Sequence, residues 1–342
     1  LSDSDFQEEP VDVAGLAGTT SLETQEGDTP PLIVEEPSGP IELATYWADR
    51  NVLLRLDPTA ERWLALSKGT PLHEGDRLLT LPTFRPTLAL NSGIGVTLSG
   101  ATHVILATTA TATMPVVEIV YGRVVLLNSE ESAVPVSVAI GDVQSEIQLG
   151  AKSRIAFDVL RKWVPGVDPT ETSGEISAFA YAPDGNVVWS VAGETMTIDE
   201  PVGWEVTTED PARIVPSMAE PTWLKEEPAS RLELLAAERL RNRLQDGSSA
   251  SRVLLEMTED RRREDRSLAT QCSAHVGQFE PFVRALGDSD QRPNWAEHID
   301  TLRAAMASDP AAADQVRQTL SERRGDEAAA DLYQMLCGYS LD

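Results

Sequence analysis

The sequence predicts a multidomain chain in which an antiparallel all-β part is followed by an α-helical part, and three observations carry this. From Val96 to Leu106 the even positions read Val, Leu, Gly, Thr, Val, Leu and the odd ones Thr97, Ser99, Ala101, His103 and Ile105. That two-residue period with one apolar face predicts a half-buried strand, broken at Ser99–Gly100. Between Pro211 and Pro228 four prolines (with Pro216 and Pro221) interrupt the chain, and β-branched residues thin out beyond them. Past that point apolar residues recur at helical spacing. The expected parts are an acidic tether over 1–40, an all-β domain over 41–212, a proline-rich hinge over 213–228 and an α-helical domain over 229–342.

Residues 1–40 hold ten acids, from Asp3 to Glu36, and no Lys or Arg. Too few apolar groups remain to offset the entropy of ordering, so a disordered spacer is expected. In the segment that follows Pro40, residues Ile41, Leu43, Ala44 and Trp47 are spaced as on a helix, and a short helix is predicted there. Strand signals then run from Val52 to about Glu209. His103 lies opposite the apolar face of its strand and is expected at the surface. Val136, Val138 and Ile140, the Gly141–Asp142 turn, and Val143, Ile147 and Leu149 predict a hairpin. Ile155, Phe157 and Val159 mark the next strand. A second hairpin is predicted around Pro183–Asn186, joining Ile176–Phe179 to Val187–Val191. Segments 52–130 and 134–209 read as two packed sheets or two halves of one sandwich or jelly roll.

Helices are predicted from Pro228 to about Gly247, with Leu232, Leu235, Ala236, Arg239 and Leu240 on one stripe, and from the cap-type serines at 248–249 to Met257. Others follow over 259–275, Phe279–Leu286, Asn294–Ala307, Pro310–Arg323 and Glu327–Leu336. Their short loops suggest an irregular bundle or a helical-repeat domain, an armadillo/HEAT-like solenoid being one option.

The formal net charge is −27. An acidic surface repels phosphate backbones and anionic lipid, so no nucleic-acid partner is expected. Two cysteines in 342 residues exclude a disulfide framework. No run of about eighteen apolar residues is present. The acidic, polar start does not read as a signal peptide, and a membrane anchor preceding Leu1 in the native protein is expected.

The β region also carries a family resemblance. Gly75, Asp76 and Thr80 open it; Leu88, Leu90, Gly93, Val96, Leu98, Gly100, Thr102, Val104 and Leu106 continue it; Val117, Ile119, Gly122, Val124 and Leu126 close it. These residues resemble a FecR-like domain. The resemblance implies an extracytoplasmic all-β module of a membrane-anchored bacterial protein; some such proteins are anti-sigma regulators. No segment here looks like the cytoplasmic sigma-binding segment of those regulators.

Cys272, His275, His298 and Cys337 carry ligand chemistry that zinc could use, but their wide separation lacks the paired spacing of zinc sites. Buried free thiols, or a Cys272–Cys337 disulfide, fit them better. The run Glu259–Arg266 is expected as a solvated face whose charges pair along one helix. Of the seven tryptophans, Trp47, Trp63, Trp163, Trp189 and Trp204 lie on strand-like stretches where core filling is expected, and Trp223 and Trp295 lie beyond them. Serine-hydrolase, phosphate-loop and zinc-protease motifs are missing.

No catalytic, cofactor-binding or metal-ligating residue is assigned, no cofactor is expected, and the chain is read as not an enzyme. The expected function is non-catalytic: periplasmic or otherwise extracytoplasmic sensing, scaffolding or docking of a protein partner, with the helical half and Arg261–Arg263 as the docking surface. Removal of residues 220–342 is expected to leave a folded β-domain. The alternative is a carbohydrate-binding or cell-wall-acting enzyme whose site lies between the two parts.

Overall fold

The strand pattern begins earlier than the sequence predicts. In the computed structural model β1 (Glu42–Tyr46) is a strand, not the expected helix. Its pairing with β4 shifts register between Glu42 and Ala44, which buries Leu43 and Ala44 side by side. A bulge that turns two successive side chains inward imitates helical spacing in the sequence. The structure describes residues 39–342 except 49, 110–111, 164–174, 208, 215, 217–219, 226–229, 287–294, 309, 324, 326 and 338–342. The acidic tether, up to residue 38, thus lies outside the described residues, as does Pro228 of the expected hinge.

The chain continues through β2 (Leu54–Asp57), β3 (Arg62–Ala65), β4 (Pro71–His73), β5 (Arg77–Thr80) and β6 (Thr87–Leu90). Two long strands follow, β7 (Ile94–Thr109) and β8 (Ala112–Asn128). Then come β9 (Val134–Ile140), β10 (Val143–Leu149), β11 (Arg154–Lys162) and β12 (Glu175–Ala182). The last strands are β13 (Val187–Val191), β14 (Glu194–Ile198) and β15 (Val202–Val206). The sheet is mixed but mainly antiparallel, β8 and β9 being a parallel pair, and it does not close into a barrel.

Two pairing paths share the β7–β8 hairpin. One runs β4–β1–β6, through the first half of β7 and the second half of β8, to β11, β12 and β15. The other runs β3–β2–β5, through the second half of β7 and the first half of β8, to β9, β10, β13 and β14. The crossover lies where the sequence predicts a break at Ser99–Gly100, yet β7 runs on through it. Ser99 pairs with Arg123 and His103 with Tyr121, so three residues of β7 face Gly122 alone. Gly122 sits at φ 101°, and a Cβ there would come within 2.5 Å of the Thr102 Cα. Only glycine tolerates both the backbone angle and the close approach. Thr102 fixes the bulge: its Oγ1 donates to the Ser99 carbonyl at 3.0 Å and accepts from the Arg123 amide at 3.0 Å.

Side chains of both paths meet in one core that includes Leu98, Val104, Val124, Val138, Phe157, Trp189 and Trp204. Trp189 and Trp204 pack edge to face with ring centroids 5.5 Å apart, an arrangement that adds to their burial. The Val136–Leu149 hairpin forms as predicted, in β9–β10. The second predicted hairpin does not. The chain turns at Pro183–Asn186, but β12 pairs with β11 and β15, while β13 pairs with β10 and β14. The turn is local chemistry, whereas the partner choice belongs to the two paths.

A 3₁₀ turn (Thr222–Leu224) leads to helices α1 (Arg231–Arg243), α2 (Ala250–Thr258), α3 (Arg263–His275) and α4 (Phe279–Leu286). These are followed by α5 (Trp295–Ser308), α6 (Pro310–Glu322) and α7 (Glu327–Cys337). Helix α1 opens with a capping box: the Glu233 amide donates to Ser230 Oγ at 3.2 Å, and the Ser230 amide to Glu233 Oε2 at 2.8 Å. Its buried stripe is Ala236, Ala237 and Leu240; Leu232 and Leu235, predicted on that stripe, are exposed.

Pro40–Asp342 form one compact unit, and the reason is a second core. Leu54, Trp63, Leu79, Leu81 and Tyr121 leave the sheet on the side away from the first core and pack with Leu240, Leu254, Met257, Ala269 and Cys272 of α1–α3. The loop between α1 and α2 also bonds to the edge of the sheet. The Ala65 amide donates to the Ser248 carbonyl at 3.0 Å, and the Gly247 amide to the Ala65 carbonyl at 2.9 Å. This covers the β3 edge, which would otherwise offer unpaired backbone groups. A third core joins Trp163, just past β11, to Phe282, Leu302, Leu320 and Leu336 of α4–α7.

Candidate functional site

The bulge of β7, the end of β11 and two helices enclose a cavity of about 430 Å³. Ser99–Ala101 form one wall, Gly122 and Arg123 the next, Asp158–Lys162 a third, and Gln271, His275 and Ala304 close it from α3 and α5. Its volume lies in the range of small-molecule sites, ~300–1,000 Å³. The bulge residues lie on one side of it, and β11, which packs against α5, on another.

The lining is cationic in a strongly acidic chain. Among the described residues Arg123, Arg161 and Lys162 face it, against the one carboxylate of Asp158. Arg123 Nε donates to Asp158 Oδ2 at 3.2 Å, and the Arg123 guanidinium lies 5.4 Å from the centre of the Trp223 ring. Burial pushes the Asp158 carboxyl above its ordinary range, with the Arg123 charge and hydrogen bond opposing. Burial likewise pulls Arg161 down, against the opposing charges of Glu118 and Asp142. Arg161 Nε is buried with no hydrogen-bond partner.

From the cavity wall, where Tyr121 and His275 line it, a row of buried aromatic side chains links sheet to helix. Trp63 and His103 are 5.5 Å apart, His103 and Tyr121 5.7 Å, and Tyr121 and His275 5.9 Å, centroid to centroid. Tyr121 Oη and His275 Nδ1 share a hydrogen bond at 3.1 Å. Burial lowers His275 to about 4. Burial, then Arg77, Arg161 and His275, lowers His103 to about 3. Both imidazoles are therefore neutral near pH 7, and His103 Nε2 has no hydrogen-bond partner. Burial also raises the Tyr121 phenol, so it stays protonated. These groups hold α3 against the sheet; the burial that lowers both histidines suits packing better than proton transfer.

His103 is thus buried, not at the surface as its strand pattern suggests, because α1–α3 cover the second face of β7. Cys272 and His275 lie one turn apart on α3, but Cys272 packs in the second core as a buried free thiol. The side chains of His298 and Cys337 lie outside the described residues. Among the described residues no group of three or more His, Cys, Asp or Glu could hold a metal ion. Trp63, Trp163, Trp189 and Trp204 fill cores, while Trp47 is 64% exposed beneath Lys68; the Trp295 side chain lies outside the described residues.

The charges of Glu259–Arg266 pair differently from the expectation along one helix. Asp260 binds Arg243 of α1 at 2.6 Å, and Asp265 binds Arg239 of α1. Arg123, Asp158, Arg161 and Tyr121 were not legible as a site. The glycines at 100 and 122 were the one local signal that the strand bends there.

Compared with known proteins, the chain matches no family model, no curated protein and no solved structure. Among the described residues no helix is long and apolar enough to cross a membrane.

Proposed function

We propose that this chain is a non-catalytic extracytoplasmic module of a membrane-anchored bacterial protein, a FecR-like β part joined to a helical part, that senses a signal and docks a protein partner. In this reading the two pairing paths form a sandwich, and α4–α7 continue α1–α3 as an armadillo-like array. The observation that carries the docking half is the exposed leucines of α1: Leu232 and Leu235, one turn apart, are 55% and 39% exposed, and Leu234 is 56% exposed. The same helix carries Arg241 and Arg243 in its last turn, and interfaces favour leucine-bearing faces flanked by arginine.

A photo-crosslinking residue at Leu235 of the full-length protein, irradiated in its native cells, tests this. One discrete adduct, lost when Leu232 and Leu234 become Asp, supports docking at α1; adducts unchanged by those substitutions sink it.

The second reading, a carbohydrate-binding or cell-wall-acting enzyme, draws on the cavity between the sheet and the helices. Against catalysis, the lining supplies one carboxylate, already paired with Arg123, and no second acid to work with it. Binding without turnover suits those groups better.

A further inference from the structure

We infer that the cavity beside the β7 bulge is a receptor site for a small molecule bearing an oxyanion, a carboxylate or a phosphate, that sits against Arg123, Arg161 and Lys162. The inference deepens the sensing half of the proposed function and rests on it.

Three features point the same way. Among the described residues the lining has three cationic side chains to one carboxylate, while the whole chain carries a formal charge of −27. Such a local reversal of sign concentrates anions from solution and orients them. Arg161 is half-buried, loses some of its hydration, and has a buried Nε with no acceptor. A half-buried guanidinium that has lost part of its water favours a charged oxygen as acceptor at the cavity wall. Arg123 has one edge on Asp158 and a face on Trp223, so its guanidinium is held in place before any ligand enters. Gly100, Ala101, Val159 and Ala304 give the rest of the wall small or apolar patches for a compact carbon body, and Ser99, Gln271 and His275 add polar groups beside them. The ligand would touch the sheet and α3 together, and so could bias how the helices sit on the sheet.

Asp158 has a distinctive role here. Its carboxylate occupies part of the Arg123 fork and competes with the incoming oxyanion. Removing its charge is expected to tighten binding, the reverse of what a merely structural ion pair would give.

The experiment is isothermal titration calorimetry of the full chain with inorganic phosphate, glycerol 3-phosphate, succinate and citrate in separate arms. The phosphate and carboxylate arms distinguish the two oxyanion sources. At least one probe is expected to bind with an affinity that falls as salt rises. Lys162→Gln, at an exposed position, should weaken it about 3-fold, and Arg161→Gln at least 10-fold, a charged hydrogen bond being worth that much. Asp158→Asn should tighten it about 3-fold or more. Circular dichroism of each variant separates lost binding from lost folding, and Lys162→Gln and Asp158→Asn keep the test alive if Arg161→Gln unfolds. No heat from any probe, or binding untouched by Lys162→Gln and Arg161→Gln, overturns the site. So does weaker binding in a folded Asp158→Asn. None of these outcomes bears on the crosslinks at α1, so failure of the ligand and failure of docking are told apart.

Discussion

Arg239 on α1 grips the fully buried carboxylate of Asp265 on α3, its Nε lying 2.7 Å from Oδ2 and 3.0 Å from Oδ1. The Arg239 side chain remains 29% exposed, so one partner keeps water while the other has none. The pair therefore fixes the angle between two helices that both rest on the sheet, and its value depends on neither member being left alone.

Arg239→Met should cost about 3–5 kcal/mol, because it strands a buried carboxylate. Adding Asp265→Leu to that variant should return most of the loss. Urea unfolding of the two single variants and the double variant checks this; a double variant as unstable as the sum of its parents would show that the pair does not act as a unit.

Acid should weaken the fold through His103 and His275. Both have folded values, about 3 and about 4, below the ordinary 6.5. Between pH 6.5 and 4 the unfolded chain therefore binds protons that the folded chain refuses, and stability falls as pH falls through that window. For His275 alone the loss is on the order of 3 kcal/mol. A His103→Phe, His275→Gln double variant should show a flatter stability profile between pH 6.5 and 4.5 than the parent. His103→Phe alone should be neutral or stabilising by about 1 kcal/mol at pH 7, since it removes a buried nitrogen without a partner.

Gly122 and Gly100 both have positive φ, 101° and 67°, but only Gly122 lacks room for a Cβ. Gly100→Ala should cost about 1–2 kcal/mol from backbone strain alone. Gly122→Ala adds a clash with Thr102 backbone and should cost about 3 kcal/mol or more. Thermal unfolding of the two side by side separates strain from collision; equal losses would mean the bulge can open to admit a methyl group.

A chain ending at residue 212 should not give the folded β-domain that the sequence alone suggests. Leu54, Trp63, Leu79, Leu81 and Phe84 would lose their cover of Ala236, Leu240, Leu254 and Met257. The truncated protein is expected to aggregate or bind a hydrophobic dye, and a soluble monomer with sharp side-chain resonances would refute this.

Much of the architecture was legible because it is local. Turn residues and two-residue alternation located the β-rich run after Val52 and, within it, strands such as β9, β10, β11 and β13, and helix spacing located all seven helices among the described residues. What escaped was long-range. Leu43 and Ala44 face inward together only because β4 and β6 flank β1 with a bulge. The turn at Pro183–Asn186 was read correctly, but no residue there says that its two strands part. The candidate site escaped for the same reason: Arg123, Asp158 and His275 are 35 and more residues apart, and only the bent hairpin brings them together.

That hairpin has a consequence for how the protein is made. Strands β3, β2 and β5 can pair in order, and β5 with β7, soon after leaving the ribosome, yet the face carrying Leu54, Trp63 and Leu79 waits for α1–α3. Nearly two hundred residues separate Leu79 from His275, and at ~5–20 residues per second their synthesis takes roughly ten to forty seconds. For that interval the nascent chain displays a finished greasy surface with no lid, so its birth favours a chaperone that hides this face until the helices arrive.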